Sequence, residues 1–182
     1  MLLDLVSTAA SASPAPVVRE LDPGVRIRRI RPSDLELERR FVYGLSARSR
    51  YLRLLSARPL QPGELERWTN IDPQREIALV ALVNEGGDDE EIGVARCVVE
   101  DAGDARWDFA IVIADAWQRR GLGVALLGKL VEAAREHGVR TLSGITLFEN
   151  RGMVKLARKV GFSVRFEEGD ATLLRLELRL DR

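Results

Sequence analysis

Cysteine and histidine are almost missing from this sequence: Cys97 and His137 are the only examples in 182 residues. One cysteine cannot close an internal disulfide, and one of each cannot build a Cys/His zinc site or a Cys–His nucleophilic pair. Cys97 falls in a strand-like segment and reads as a small buried hydrophobe; His137 falls near a helix end and reads as a cap or dipole partner. Charge of one sign is missing too. The 28 Lys and Arg balance the 28 Asp and Glu, so no bulk field argues for a nucleic acid or an anionic membrane as partner. The basic residues are mostly arginine, which reflects GC-rich bacterial coding as readily as function. No stretch reaches the roughly 18 apolar residues that a membrane-spanning helix needs. The start, Met1 to Val6 and then Ala10-Ser11-Ala12, lacks a basic region and carries Asp4, which argues against a secretory signal. The expectation is a metal-free cytoplasmic protein.

What remains is a globular mixture, 46% hydrophobic and 31% charged. A chain of this length buries roughly 70% of its unfolded surface and needs no staples. Residues 1–24 are rich in Ala, Ser and Pro and read as a mobile arm before one domain, 25–182. Val25 to Ile30 alternates as a strand does. Pro32-Ser33-Asp34 opens a helix carrying Leu35, Leu37, Phe41, Val42 and Leu45, with Ser33 as the expected cap. Helices are expected again over Arg48 to Leu55 and from Pro62-Gly63-Glu64 to Ile71. Ile77 to Val83 is too continuously apolar for a strand with a wet face. Ile92 to Val99 returns as its hairpin partner across Asn84 to Asp89. Ala102-Gly103-Asp104 turns the chain into a strand from Trp107 to Ile113. Leu122 to His137 is an amphipathic helix ended by Gly138. Leu142 to Leu147 is a strand, Gly152 to Val160 a helix closed by Gly161, and Thr172 to Leu180 a last strand. This order predicts an α/β fold with a mixed, mostly antiparallel sheet and helices on both faces.

One segment carries chemistry. A strand runs through Ile111 and Ile113 into Gln118-Arg119-Arg120-Gly121-Leu122-Gly123-Val124, where two glycines open the long helix. Unpaired N–H groups and the dipole at a helix start favour an anion. Glycine lets backbone approach phosphate oxygens without a Cβ in the way, and Arg119 and Arg120 add charge-assisted donors. A phosphate-bearing ligand is expected. A Rossmann fingerprint is excluded, because Leu126 stands where its third glycine belongs and Leu142 near the place of its acid; the Gly-Lys-Ser/Thr of a P-loop is absent.

Gln/Arg-x-x-Gly-x-Gly after an antiparallel strand resembles the acetyl-CoA loop of GNAT acetyltransferases. Asn150-Arg151-Gly152-Met153-Val154-Lys155-Leu156, ending at Gly161-Phe162, is similar to a second segment of that family, one strand further on. A closer resemblance covers most of residues 25–165. Ile27 to Asp34, Leu45 to Arg53, Ile71 to Val80 and Asp115 to Gln118 look like the acetyltransferase domain of bacterial Pat-type protein lysine acetyltransferases. In those proteins the domain is joined to a CoA-ligase-like or cyclic-nucleotide-binding part, and these 182 residues contain neither.

The resemblance implies acetyl-CoA as cosubstrate and a primary amine as acceptor, a protein lysine first and a small-molecule amine second. It implies that the backbone at Ile111 and Ile113 pairs with the pantetheine amides, that residues 118–124 hold the pyrophosphate, and that Asn150 belongs to the same site. It places Asp108 where Pat-type enzymes carry a glutamate base, one methylene shorter. Glu76, with Asp72, is the alternative acid, unless it serves only to pair with Arg75. Trp107 and Trp117, flanking the site strand, read as core or rim packing. The tyrosine that many GNATs use as a general acid falls at Ala157, so no hydroxyl is expected there. Asp for Glu and the missing tyrosine leave open a non-catalytic, acetyl-CoA-sensing module.

Overall fold

The computed structural model describes residues 23–55, 58–99 and 106–180. The proposed arm, apart from its last two residues, and the turn at Ala102-Gly103-Asp104 lie outside them. The elements are β1 (Val25–Arg29), α1 (Leu35–Gly44), α2 (Ala47–Leu54), α3 (Glu64–Thr69), β2 (Glu76–Glu85), β3 (Asp88–Val99), β4 (Arg106–Ile113), α4 (Leu122–Glu136), β5 (Thr141–Leu147), α5 (Arg151–Val160), β6 (Ser163–Glu167) and β7 (Asp170–Arg179). Short 3-10 turns at Pro32–Asp34 and Asp115–Trp117 precede α1 and α4. No helix among the described residues is long and apolar enough to cross a membrane.

The seven strands form one sheet in the order β1-β2-β3-β4-β5-β7-β6. Every pairing is antiparallel except β4 with β5. The apolar run of β2 is explained by its two faces. Ile77, Leu79, Ala81 and Val83 join the core beneath α4 and α5, while Ala78, Val80 and Leu82 join a second core beneath α1 and α3. A central strand covered on both sides has no polar phase to display.

Several local expectations shift. Ser33 does not cap α1. Instead the Asp34 carboxylate accepts the Arg31 N–H at 2.8 Å and takes both Arg28 nitrogens at 2.6 and 2.8 Å. The final strand is two: β6 pairs with β7 through a tight turn at Gly169, whose φ is +85°. Gly138 and Gly161, at φ +87° and +104°, close α4 and α5 as expected. Cys97 is fully buried, and burial pushes its thiol up to about 12. His137 does more than end a helix: its Nε2 lies 3.3 Å from the Gln74 carbonyl oxygen and its ring meets Trp107 edge-on at 5.1 Å.

Candidate active site

The site begins where two neighbouring strands part. β4 and β5 pair only from Arg106 to Asp108, against Thr141 to Ser143. Beyond Asp108, β4 continues to Ile113 paired with β3 alone, while β5 runs on paired with β7. Glycine occurs at the parting point because nothing larger fits. A Cβ on Gly144 would lie 2.8 Å from the Phe109 ring and 3.0 Å from its carbonyl oxygen. Phe109 is held in turn against Phe162, with ring centroids 4.7 Å apart.

The alternation of an antiparallel ladder decides which backbone groups face the gap. The Ala114 N–H bonds to Ile92 of β3 at 2.9 Å, so the even-numbered residues before it also turn their amides to β3. Ile111 and Ile113, beyond the paired stretch, therefore turn theirs to the open side. The Ile113 carbonyl is taken there by the Gln118 side-chain amide at 3.1 Å. Ile111 and its neighbours offer an unused strand edge to an extended, amide-bearing ligand.

That edge leads to the start of α4. Gly121 is its cap residue at φ +94°, with no side-chain cap. Among the described residues, no hydrogen-bond acceptor serves the N–H groups of Arg119, Arg120, Gly121, Leu122 or Gly123, whereas Val124 and Ala125 bond back to the Gly121 carbonyl at 3.0 and 3.2 Å. Arg119 is itself left-handed at φ +62°, a strained setting for a side-chain-bearing residue. Five bare donors at a helix start suit an anion. A Cβ on Gly123 would meet Leu156 of α5 at 3.3 Å, so this glycine also serves helix packing. Arg120 lies over Trp117, 5.0 Å from the ring centroid.

Two expected ligand-binding side chains hold the protein together. The Gln118 amide, besides Ile113, donates to Ser49 Oγ at 3.3 Å. Asp115 takes the Ser46 N–H at 3.0 Å and the Ser46 and Ser49 hydroxyls at 2.9 and 2.8 Å. Partial burial acts to raise the Asp115 pKa, but these hydrogen bonds outweigh it and hold the carboxylate below its ordinary range. The loop between β4 and α4 is thereby tied to the start of α2. Asn150 caps α5 by accepting the Met153 N–H at 3.1 Å and donates to Thr146 at 3.2 Å.

Asp108 is half-buried at the last paired position of β4, in register with Ser143 of β5 and Val98 of β3. By alternation it shares the α1–α3 face with Val112, opposite Phe109. Glu76 is not its equal. It pairs with Arg96 at 2.9 Å, correcting the expected Arg75 partner, while Asp72 accepts the Gln74 N–H at 2.9 Å in a turn. Arg96 also reaches Glu38 at 3.8 Å and the Trp68 carbonyl at 3.3 Å. Glu91, buried at 3% exposure beside Glu38, is pushed up to about 10, by burial first and by the Glu38 charge second. Arg53 is pulled down to about 10 by burial and then by Arg96, while Glu38, Asp108 and Glu76 act the other way. Single charged residues at helical and strand spacing gave no sign of this cluster in the sequence.

The model of the acetyltransferase (GNAT) domain matches residues 25–163. The chain belongs to the GNAT acetyltransferase family. An acetyltransferase from Pseudomonas aeruginosa is 35% identical over 161 residues, spanning 85% of this chain and 84% of that one. The GNAT domain of S. lividans PAT superposes with a TM-score of 0.75 at 27% identity, over 85% of this chain and 90% of its own. A Salmonella typhimurium structure solved with acetyl-CoA shares the fold, at TM-score 0.70 and 20% identity over 87% of this chain and 95% of its own. This chain is an acetyltransferase with the GNAT fold.

Proposed function

We propose that the chain transfers acetyl from acetyl-CoA to a primary amine, a protein lysine first and a small-molecule amine second. The observation that carries this reading is the open edge of β4 running into the bare N–H groups at Gly121 to Gly123. Ile111 and Ile113 pair with the pantetheine amides as an added strand would. The N–H groups from Arg119 to Gly123 and the Arg119 and Arg120 side chains take the pyrophosphate, while the Val124 N–H stays with the Gly121 carbonyl. Gln118 and Asn150 frame the two sides of the gap.

Acetyl-CoA supplies an activated acyl group. The protein supplies a neutral amine and a place for developing negative charge. A lysine amine has a pKa of about 10.4, so freeing it of its proton at pH 7 costs roughly 4.6 kcal/mol. Asp108, at the point where the strands part, takes that proton, directly or through one water. An open-side N–H of β4, at Ile111 or a neighbour, meets the oxyanion. Glu76, whose carboxylate is engaged by Arg96, is the second candidate for base.

Release of CoA thiol from acetyl-CoA, measured across lysine peptides and small amines, tests the proposal. Turnover dependent on the amine supports it. Acetyl-CoA binding without turnover on any amine would instead favour a sensing module.

A further inference from the structure

The loop that leads into α4 is wound against the preference of one of its residues. Arg119 carries a side chain at φ +62°, and Gly121 follows at φ +94°. Left-handed residues in such a run fold successive N–H groups into a concavity that takes an anion. Gly121 adopts the conformation at little cost. Arg119 is strained in it, and such strain persists only where the surroundings over-determine the backbone. Downstream, the chain is fixed by α4, whose first residue, Leu122, is 2% exposed.

Upstream, it is fixed from outside the loop. Gln118 Nε2 donates to the Ile113 carbonyl at 3.1 Å and to Ser49 Oγ at 3.3 Å. Ser49 Oγ donates in turn to Asp115 Oδ1 at 2.8 Å. Ser46 gives its hydroxyl to the same oxygen at 2.9 Å and its N–H to Oδ2 at 3.0 Å. Ser46 Oγ also accepts the Ser49 N–H at 3.2 Å, which closes the start of α2. The bonds run in one direction, from Gln118 through Ser49 to Asp115, and Ser49 at their centre is buried. Asp115 begins the short turn before Arg119, and Gln118 ends it in an extended conformation. Both ends of that turn are thus held by α2, the helix that with α1 lines an outer groove carrying Tyr43 and Tyr51.

Resting on the acetyl-CoA reading of the site, we propose that Asp115, Ser49 and Gln118 are positioning residues for the pyrophosphate: by clamping the loop to α2 they hold Arg119 left-handed and keep the N–H groups from Arg119 to Gly123 aimed at one point. The clamp acts before the ligand arrives. Breaking it lowers the fraction of chains whose loop is ready, and apparent affinity falls by that fraction. Asp115 and Ser49 have no hold on the open edge at Ile111, where the same reading lays the pantetheine arm.

The test compares CoA with pantetheine, which lacks the pyrophosphate and the nucleotide, on the full chain. Calorimetry gives the dissociation constants, and the ligand-induced rise in Tm serves for the weaker ligand. Asp115→Asn sets an amide N–H against the Ser46 N–H, and Ser49→Ala removes the middle of the chain of bonds. Each is expected to weaken CoA by about tenfold, as when one loop in ten is ready, and to leave pantetheine within about twofold. Should Asp115→Asn fail to fold, Ser49→Ala carries the same comparison. Asparagine accepts the left-handed region more readily than arginine, so either loss should be smaller in an Arg119→Asn background. Equal weakening of both ligands, a lower Tm with unchanged CoA affinity, or a loss undiminished by Arg119→Asn overturns the inference. An unaltered chain that binds CoA no better than pantetheine removes the pyrophosphate site itself, and with it the reading on which the clamp rests.

Discussion

Gly144 and Phe109 meet where β4 and β5 separate, so closely that a Cβ on Gly144 would sit 2.8 Å from Cε1 of the ring. The contact is the hinge of the open edge: the ring fills the apex and the glycine lets it in. Gly144→Ala should therefore cost about 1–3 kcal/mol, the usual scale of overpacking. Thermal unfolding measures this. Phe109→Leu in the same chain should recover only part of the loss, because the Phe109 carbonyl would still lie 3.0 Å from the new Cβ. An unchanged Tm in Gly144→Ala would mean the apex has slack.

Gly121 and Gly123 should fail for different reasons. Gly121 sits at φ +94°, in the left-handed region. Its replacement by Val strains the backbone and narrows the path to the bare N–H groups. Gly123 sits in ordinary helix against Leu156. Gly121→Val should abolish the acetyl-CoA-induced rise in Tm, a direct measure of ligand binding. Gly123→Ala should lower both affinity and stability, and adding Leu156→Ala should relieve the steric part only. Full recovery of affinity in that double variant would show that Gly123 serves packing alone.

Asp108→Asn should reduce kcat at neutral pH by about 10²–10⁴-fold, the range for loss of a general base, with little change in acetyl-CoA affinity. Glu76→Gln should behave differently, lowering Tm because Arg96 loses its 2.9 Å partner. Calorimetry, steady-state rates and melting curves on both variants separate the roles. Full activity in Asp108→Asn with lost activity in Glu76→Gln would reverse the assignment.

The sequence was most readable where one physical demand acted alone. The double-faced apolar run of β2, the stripe of α4 and the glycines at its start each follow from a single local rule. β6 was harder: five residues at a sheet edge, with Phe166 exposed, carry too little alternation to be separated from a loop. Gly144 left a signal, since a lone glycine inside a strand marks close approach of backbone or ring. The Glu38, Glu91 and Arg96 cluster left none. A glutamate on an amphipathic helix reads as solvated until the fold places it at 1% exposure beside another carboxyl. Likewise nothing in the sequence ties Ser46 and Ser49 to Asp115, and only the fold brings them together.

That buried carboxyl has a pH consequence. Glu91 titrates at about 10 in the folded chain, against about 4.3 when unfolded. A raised folded pKa means stabilisation that is complete below the unfolded value and is lost as pH climbs toward the folded one. Glu91→Gln, which stays neutral throughout, should therefore gain on the unaltered chain as pH rises from about 5 to about 10. Paired melting curves across that window check this. A constant Tm difference would mean that Glu91 is ionised in the folded protein.

The departing thiol raises the last question, because no tyrosine stands on α5 to protonate it. Ala157 occupies that place and is fully buried in the core beneath α4. The chain's two tyrosines, Tyr43 and Tyr51, are both exposed on α1 and α2. A CoA thiol has a pKa near the reference value of about 8.5, so it is a fair leaving group that solvent can protonate. The rate should therefore rise with pH on the ionisation of the base and then hold a plateau. No alkaline limb from a tyrosine should appear. Tyr51 lines the outer groove, so Tyr51→Phe should change KM for the acceptor more than kcat and leave the shape of the profile intact. A bell-shaped profile whose alkaline limb vanishes in Tyr51→Phe would place a proton donor on α2 and bring the outer groove into the chemistry itself.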